Sequence, residues 1–346
     1  MDTGMSEAPS AKQNDESGGA SRNVIAVTVT YGNREVLLRQ VLDSLPAQGV
    51  ARVVVVDNGA QWPVADSLRA AFGDFVDVVT MGRNTGSAGG FKAGIERAMA
   101  LQPEFIWLLD DDNLPEAHAL TQLCDALVRR RSQPEGALQV ACAFRPVGYE
   151  GIQPTRLTPR HSSYCGFHVL DIPQKLIKRT PLRYLRRNLH LPEVIALPLA
   201  PYSGLLFAAA LPLQVGLPRE DFVLYCDDYE WTSRIVGAGG SLLLVTSAKV
   251  TDLERTWGGS QSNHPLSLLR GRGDVTAYYA MRNAVYFYQR IWCRHPWSFR
   301  LNRMTFNILL WWMALLTRRW TRYELLRLAA RDGRRGVFGA NPEYQL

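Results

Sequence analysis

The first strong pattern begins after Asn23, where Val24-Ile25-Ala26-Val27-Thr28-Val29-Thr30 forms an almost unbroken β-branched run that ends in Tyr31-Gly32-Asn33. Such a run, without polar alternation, predicts a strand buried on both faces and closed by a turn. Leu37, Leu38, Val41, Leu42 and Leu45 then recur at helical spacing until Pro46. Val53-Val54-Val55-Val56 reads as a second buried strand stopping at Asp57-Asn58-Gly59, and Phe75 to Thr80 as a third. The third leads into Arg83-Asn84-Thr85-Gly86-Ser87-Ala88-Gly89-Gly90 and a helix with Phe91, Ile95 and Met99 on one face. A fourth strand, Phe105-Ile106-Trp107-Leu108-Leu109, ends at Asp110-Asp111-Asp112. Strands and helices alternating in this order predict an α/β fold on a mostly parallel sheet, flanked by helices. Ligands of such sheets gather at the carboxyl ends of the strands, so Asp57, the loop 83–90 and the aspartate triplet are expected to face one crevice.

From about Gln139 the pattern is less regular and rich in proline up to Pro218. Leu205-Leu206-Phe207-Ala208 follows Tyr202-Ser203-Gly204 as a strand-like run. Apolar Phe222-Val223-Leu224-Tyr225-Cys226 then leads to Asp227-Asp228-Tyr229-Glu230 and a short helix carrying Trp231, Ile235 and Val236. Ser241 to Thr246 predicts one more apolar strand. Near the C-terminus, Ala277 to Trp292 reads as an aromatic helix. Met304 to Leu316 is strongly apolar between Arg300, Arg303 and Arg318, Arg319, Arg322. That last run is well short of the roughly 20 residues needed to span a bilayer. Its basic flanks suit either a helix lying on an anionic surface or a core helix with solvated arginines beyond it.

Composition adds limits. The 346 residues are 47% hydrophobic and 21% charged, enough for about two domains with a sizeable core. The net charge is +7, and all but five of the 39 basic residues are arginine; they are dispersed, and no nucleic-acid-binding module is recognisable, so nucleic acid is not an expected partner. Five scattered cysteines without metal spacing suit reduced thiols in the cytoplasm. Residues 1–22 read as a polar, disordered leader. A catalytic unit is expected over 23–256 and a lid and helical region over 257–346.

Chemistry concentrates in the acidic clusters. Three adjacent carboxylates at a strand end repel one another and call for a positive partner, for which a hard divalent cation is suited; an acidic turn capping the next helix is the other reading. Asp227 and Asp228 offer a general base for an acceptor hydroxyl, or else first-turn acids of a helix. Gly86, Gly89 and Gly90 allow close backbone approach, and Arg83 suits a phosphate. Asp57 reads as a base or ribose acceptor, or as a turn aspartate.

Together these segments resemble the family-2 glycosyltransferases with the Rossmann-like GT-A fold. Thr30, Tyr31 and Asn33 are similar to the nucleotide-contacting turn, and Val54-Val55-Val56-Asp57 to the base-binding strand end. Arg83-Asn84-Thr85-Gly86 with Gly89-Gly90 resembles the loop beside the donor. Leu108-Leu109-Asp110-Asp111-Asp112 is similar to the Asp-x-Asp motif, which implies that Asp110 and Asp112 hold Mn²⁺ or Mg²⁺ and that Asp110 and Asp111 contact the sugar nucleotide. Asp227-Asp228-Tyr229-Glu230-Trp231 resembles the segment of the catalytic base, implying Asp228 as base beside Asp227. With Tyr279-Ala280-Met281-Arg282-Asn283, the resemblance is nearest the galactofuranosyltransferase and rhamnosyltransferase branch. That branch implies a UDP- or dTDP-sugar donor, a glycan or polyprenyl-linked acceptor and cell-envelope polysaccharide biosynthesis. It further implies work at the cytoplasmic face of the inner membrane, with peripheral membrane contact. Lys249-Val250-Thr251-Asp252 stands where that branch has a metal-binding histidine, leaving Asp252, His264 or no residue as the third ligand. Tyr202, Ser203 and Gly204 are expected to line the pocket, and Trp257 with Gly258-Gly259 is read as a lid or a surface loop. A sugar-nucleotide nucleotidyltransferase would need a lysine-bearing glycine loop after the first strand, which Tyr31-Gly32-Asn33-Arg34 is not. A non-catalytic binding protein on the same scaffold is the other alternative.

Overall fold

The computed structural model describes residues 22–129, 138–146, 158–173, 191–254, 265–271 and 273–346. Four parallel strands form the front of the sheet: β1 (Val24–Gly32), β2 (Arg52–Ala60), β3 (Val76–Thr80) and β4 (Phe105–Asp110). Short β5 (Asn113–Pro115), β6 (Gln139–Phe144), β7 (Val194–Leu197), β8 (Leu205–Ala208) and long β9 (Ser241–Asp252) complete it. The order is β3-β2-β1-β4-β8-β6-β9-β5, with β7 also paired to β9. β8 is antiparallel to both β4 and β6, while β9 is parallel to β6. Strands β1, β2, β3, β4, β6 and β9 therefore all end on the same edge.

The unbroken apolar runs are explained by burial on both faces. Val24 and Ala26, Val53 and Val55, and Phe105, Trp107 and Leu109 face one layer with Leu38 and Leu42 of α1 (Glu35–Ser44) and Leu120 and Leu123 of α4 (Ala119–Arg129). A further helix, α2 (Val64–Phe72), adds Leu68 to that layer. The alternate residues Ile25, Val27, Val54, Val56 and Ile106 pack on Phe91 and Ile95 of α3 (Gly86–Ala100). Here glycine is required by contact: a Cβ on Gly94 would sit 2.4 Å from Val27 Cγ1.

Short α5 (Leu211–Val215) precedes α6 (Asp227–Gly237), and α7 (Pro265–Arg270) follows β9. A separate aromatic core lies among α8 (Asp274–Arg290), α9 (Pro296–Thr317) and α10 (Trp320–Arg335). No helix among the described residues is long and apolar enough to cross a membrane.

Two expectations change in extent. The last sheet strand continues past Thr246 to Asp252, because its second half pairs with β5, Asn113 opposite Asp252. The apolar run 222–226, to which the sequence assigned no element, forms a turn in which Val223, Tyr225 and Cys226 adopt left-handed φ of 67°, 69° and 60°. The C-terminal apolar helix begins eight residues earlier than Met304, at Pro296, where proline suits the first helical position.

Candidate active site

The shared strand edge gathers the polar groups. Asp57 lies in β2 opposite Thr80 at the end of β3, Asp110 ends β4, Arg145 directly follows β6 and Asp252 ends β9. Within the triplet, Asp111 and Asp112 are nearly fully buried, at 3% and 5% exposure. Their charge is met by Arg34, which stands at the N-cap of α1. Its Nε donates to Asp111 at 2.9 Å, its second nitrogen lies 3.3 Å from Asp112, and its third contacts Glu254. Arg34 also lies over the half-exposed Tyr31 ring, 5.4 Å from the centroid. A cation at a helix N-terminus opposes the dipole; three acids compensate for that here.

Asn113, fully buried, is the hub behind the triplet. Its amide donates to Asp252 Oδ1 at 3.0 Å, and its oxygen accepts from the Asp110 backbone N–H at 3.1 Å and from the Ser203 hydroxyl. Arg145 takes the other oxygen of Asp252 at 2.5 Å. Burial raises the pKa of all three triplet aspartates. Asp111 rises to about 7 despite Arg34. Asp112 rises to about 6, with the charge of Asp110 adding to burial, and Asp110 itself is raised by burial against the opposing pull of Arg145.

The second acidic cluster opens α6. Asp227 is 2% exposed and accepts from Ser87 Oγ at 3.0 Å; Asp228 retains contact with solvent and accepts from the Tyr229 backbone N–H at 2.8 Å. Burial lifts the Asp227 carboxyl to about 6. Asp228 is raised well above the usual carboxylate range by burial and then by the adjacent Asp227 charge. The charge of Asp110 adds to both shifts, so the triplet and the pair lie within electrostatic reach of each other. The Tyr202 ring packs 4.7 Å from Phe91 and 6.0 Å from Trp231; its buried hydroxyl has no hydrogen-bond partner, and the nearby charges of Asp227 and Asp228 raise its pKa beyond the effect of burial.

The pair owes its position to the left-handed turn before it. Left-handed backbone costs a non-glycine residue roughly 1–2 kcal/mol, so the turn needs external support. Asn283 Nδ2 of α8 lies within 3.0 Å of the carbonyls of Phe222, Leu224 and Tyr225. Its neighbour Arg282, stacked 4.8 Å over Tyr279, donates to Phe222 O at 2.8 Å and Gly339 O at 2.6 Å. From the other side Ala88 N–H donates to Val223 O at 3.2 Å. Gly86 permits that approach: its φ is +80° and a Cβ would lie 1.9 Å from Val223 O. The motif Tyr279–Asn283 thus holds the turn in place.

The other expected positions divide. Asp57 Oδ1 accepts from Ala60 N–H at 2.9 Å at the end of β2, while Arg83 and Asn33 are exposed at the rim and Thr30 is fully buried. Asn84 Oδ1 accepts from the Gly86 N–H at 2.9 Å, and Asn58 ties this loop to β2 through Thr85 and Gly86. Gly89 and Gly90 lie in the first turn of α3; a Cβ there would meet Thr85 at 2.6 Å and Val29 at 2.6 Å. Gly204, at φ +79°, joins the β4 and β6 backbones through bonds of 2.9 Å each. Trp257 and His264 lie outside the described residues. Arg34, Asn113, Arg145 and Glu254 were not foreseen. Arg34 carried a signal, a cation where a helix start favours Ser or Asp; Arg145 became visible only with the direction of β6.

Donor chemistry fits a hard divalent cation: aspartate oxygens outnumber the two guanidinium groups, and Asp110, Asp112 and Asp252 interact repulsively. No group of three or more His, Cys, Asp or Glu among the described residues is already gathered to hold a metal. Mg²⁺ and Mn²⁺ suit that circumstance, being held by one or two carboxylates with the rest supplied by phosphate and water.

A mostly parallel α/β sheet flanked by helices in this order is the GT-A fold. Residues 26–189 match the family model Glycosyl transferase family 2, so this segment is similar to that family's domain. Over 96 residues the chain is 40% identical to galactofuranosyltransferase GlfT1 of Mycolicibacterium smegmatis, a match covering 27% of this chain and 30% of that protein. The chain thus aligns with less than a third of that relative's length. Among solved structures, GalNAc-T7, crystallised with UDP, GalNAc and Mn²⁺, superposes with a TM-score of 0.50 at 15% identity, over 72% of this chain and 47% of that one. TarS of S. aureus (residues 1–349) gives a TM-score of 0.44 at 12% identity over 91% and 92%.

Proposed function

We propose that the chain is an inverting, divalent-cation-dependent glycosyltransferase that moves a galactofuranosyl or rhamnosyl group from a UDP- or dTDP-sugar to a hydroxyl of a glycan or polyprenyl-linked glycan. The observation that carries this reading is that Asp110 ends β4 while Ser87, in the first turn of α3 at the same edge of the sheet, bonds Asp227 at 3.0 Å. It supports a cleft where a diphosphate and an acceptor hydroxyl meet. Asp110 and Asp112 would hold the cation, with Asp252 near them; when bound, it would offset charge growing on the leaving diphosphate. The exposed Arg83 would contact the same phosphates. Asp228 takes the acceptor proton as the hydroxyl oxygen attacks the anomeric carbon and the bond to the diphosphate breaks on the opposite face. A raised pKa suits that task, since a base titrating near the working pH transfers protons most effectively. The similarity to a galactofuranosyltransferase favours a furanosyl donor.

Release of nucleoside diphosphate from a panel of UDP- and dTDP-sugars, with Mn²⁺ and a soluble acceptor, tests the assignment. Asp228→Asn is expected to lower kcat about 10²–10⁴-fold while calorimetric affinity for the nucleotide stays nearly unchanged. Full turnover by that variant would remove the base from Asp228.

A further inference from the structure

Among the described residues, one helix face has no partner. On α9 the residues Phe299, Phe306, Leu310 and Ala314 point into the C-terminal core. On the opposite side Trp297, Leu301, Met304, Ile308, Trp312 and Leu315 follow one another at spacings of three and four and are all exposed. Trp297 is 79% exposed, and Leu316 beside this row is 77% exposed. From Trp297 to Leu315, at about 1.5 Å per residue, this stripe is roughly 27 Å long. Exposed apolar surface of that extent marks a contact site rather than ordinary scatter.

Charge identifies the occupant. The helix contains no Asp or Glu. Exposed Arg300 lies over the Trp297 ring, 5.0 Å from its centroid, at one end. At the other, exposed Arg318 and Arg319 line a cleft of about 260 Å³ with Trp320 and Arg322. A second copy packed antiparallel on this face would bring arginines against arginines. An anionic bilayer satisfies both features: its acyl region accepts the stripe, its headgroups accept the arginines, and tryptophans favour that boundary. We infer that α9 is an in-plane membrane-docking helix that seats the protein on an anionic lipid surface, with Arg300, Arg318 and Arg319 contacting headgroup phosphates. This inference goes beyond the sugar-transfer reading and does not depend on it.

The test uses the full chain with phosphatidylcholine vesicles, with and without phosphatidylglycerol, in co-sedimentation at low and high salt. Binding is expected to the anionic vesicles only and to weaken with salt. Trp312→Ser and Leu316→Ser should each lower vesicle affinity about tenfold or more, and Arg318→Gln about fivefold. All three should leave circular dichroism and nucleotide binding unchanged. Failure of the folded protein to bind anionic vesicles overturns the inference. So does a dimer in analytical ultracentrifugation that the same substitutions dissociate, which would assign the face to a second copy.

Discussion

The aspartate triplet and the Asp227–Asp228 pair are both acidic, buried and at the same edge of the sheet, yet they are held in opposite ways. On the triplet side positive charge comes first: Arg34 spans Asp111, Asp112 and Glu254, and Arg145 holds Asp252. On the pair side Asp227 is held by a serine hydroxyl and Asp228 by a backbone N–H, and the two charges oppose each other. Burial raises the carboxyl pKa values on both sides; the guanidinium of Arg34 opposes that rise in the triplet, whereas the adjacent like charge adds to it at Asp228. The neighbouring charge of a buried aspartate, and not its burial alone, sets how readily it holds a proton.

Removing charge should therefore destabilise one cluster and stabilise the other. Arg34→Leu leaves Asp111 and Asp112 buried without their cation, and breaking a buried pair in this way costs about 3–5 kcal/mol. Urea denaturation should show that loss, and a second change, Asp111→Asn, should recover part of it; an unchanged midpoint would mean that Arg34 does not balance the triplet. Asp227→Asn should act in the opposite direction. The folded Asp227 pKa of about 6 lies above the usual carboxylate value of 3.8, so its contribution to stability is present below about pH 4 and lost as pH rises toward 6 and beyond. Asparagine escapes that loss. The variant should be more stable above pH 7 by up to about 3 kcal/mol, with the difference vanishing below pH 4 in thermal melts.

The same substitution removes the like charge beside Asp228 and should move the acid limb of kcat/KM to lower pH. An acid limb that does not move would separate Asp228 from Asp227 electrostatically. The smallest effect is expected from the support of the pair. Asn283→Ala leaves carbonyls of the left-handed turn without a donor and should cost about 1–3 kcal/mol, with kcat falling more than nucleotide affinity; Asn283→Ser should restore part of both.

Much of the sheet was legible because the parallel strands are buried on both faces, which leaves continuous apolar runs such as Val24–Val29 and Val53–Val56. The aspartate clusters were legible because acids directly after such runs lie at a ligand-binding edge. The backbone of Phe222–Cys226 was not legible: its apolar side chains specify no element, and support from Asn283 and Arg282 of α8 selects a left-handed turn. Gly86 and Gly90 were read as the loop beside a donor; in the structure the groups that crowd them are Val223 and Val29 of the protein itself.

The sequence alone determined the hydrophobic periodicity, hence the α/β layers, and the presence of two acidic segments, because those are local properties. Tertiary structure decided which carboxylates meet, which arginine balances each, and that the last strand runs on to Asp252. These depend on strand order and on contacts between residues far apart in the chain, such as Arg34 with Asp111 or Asn283 with Tyr225, and local patterns carry no record of them.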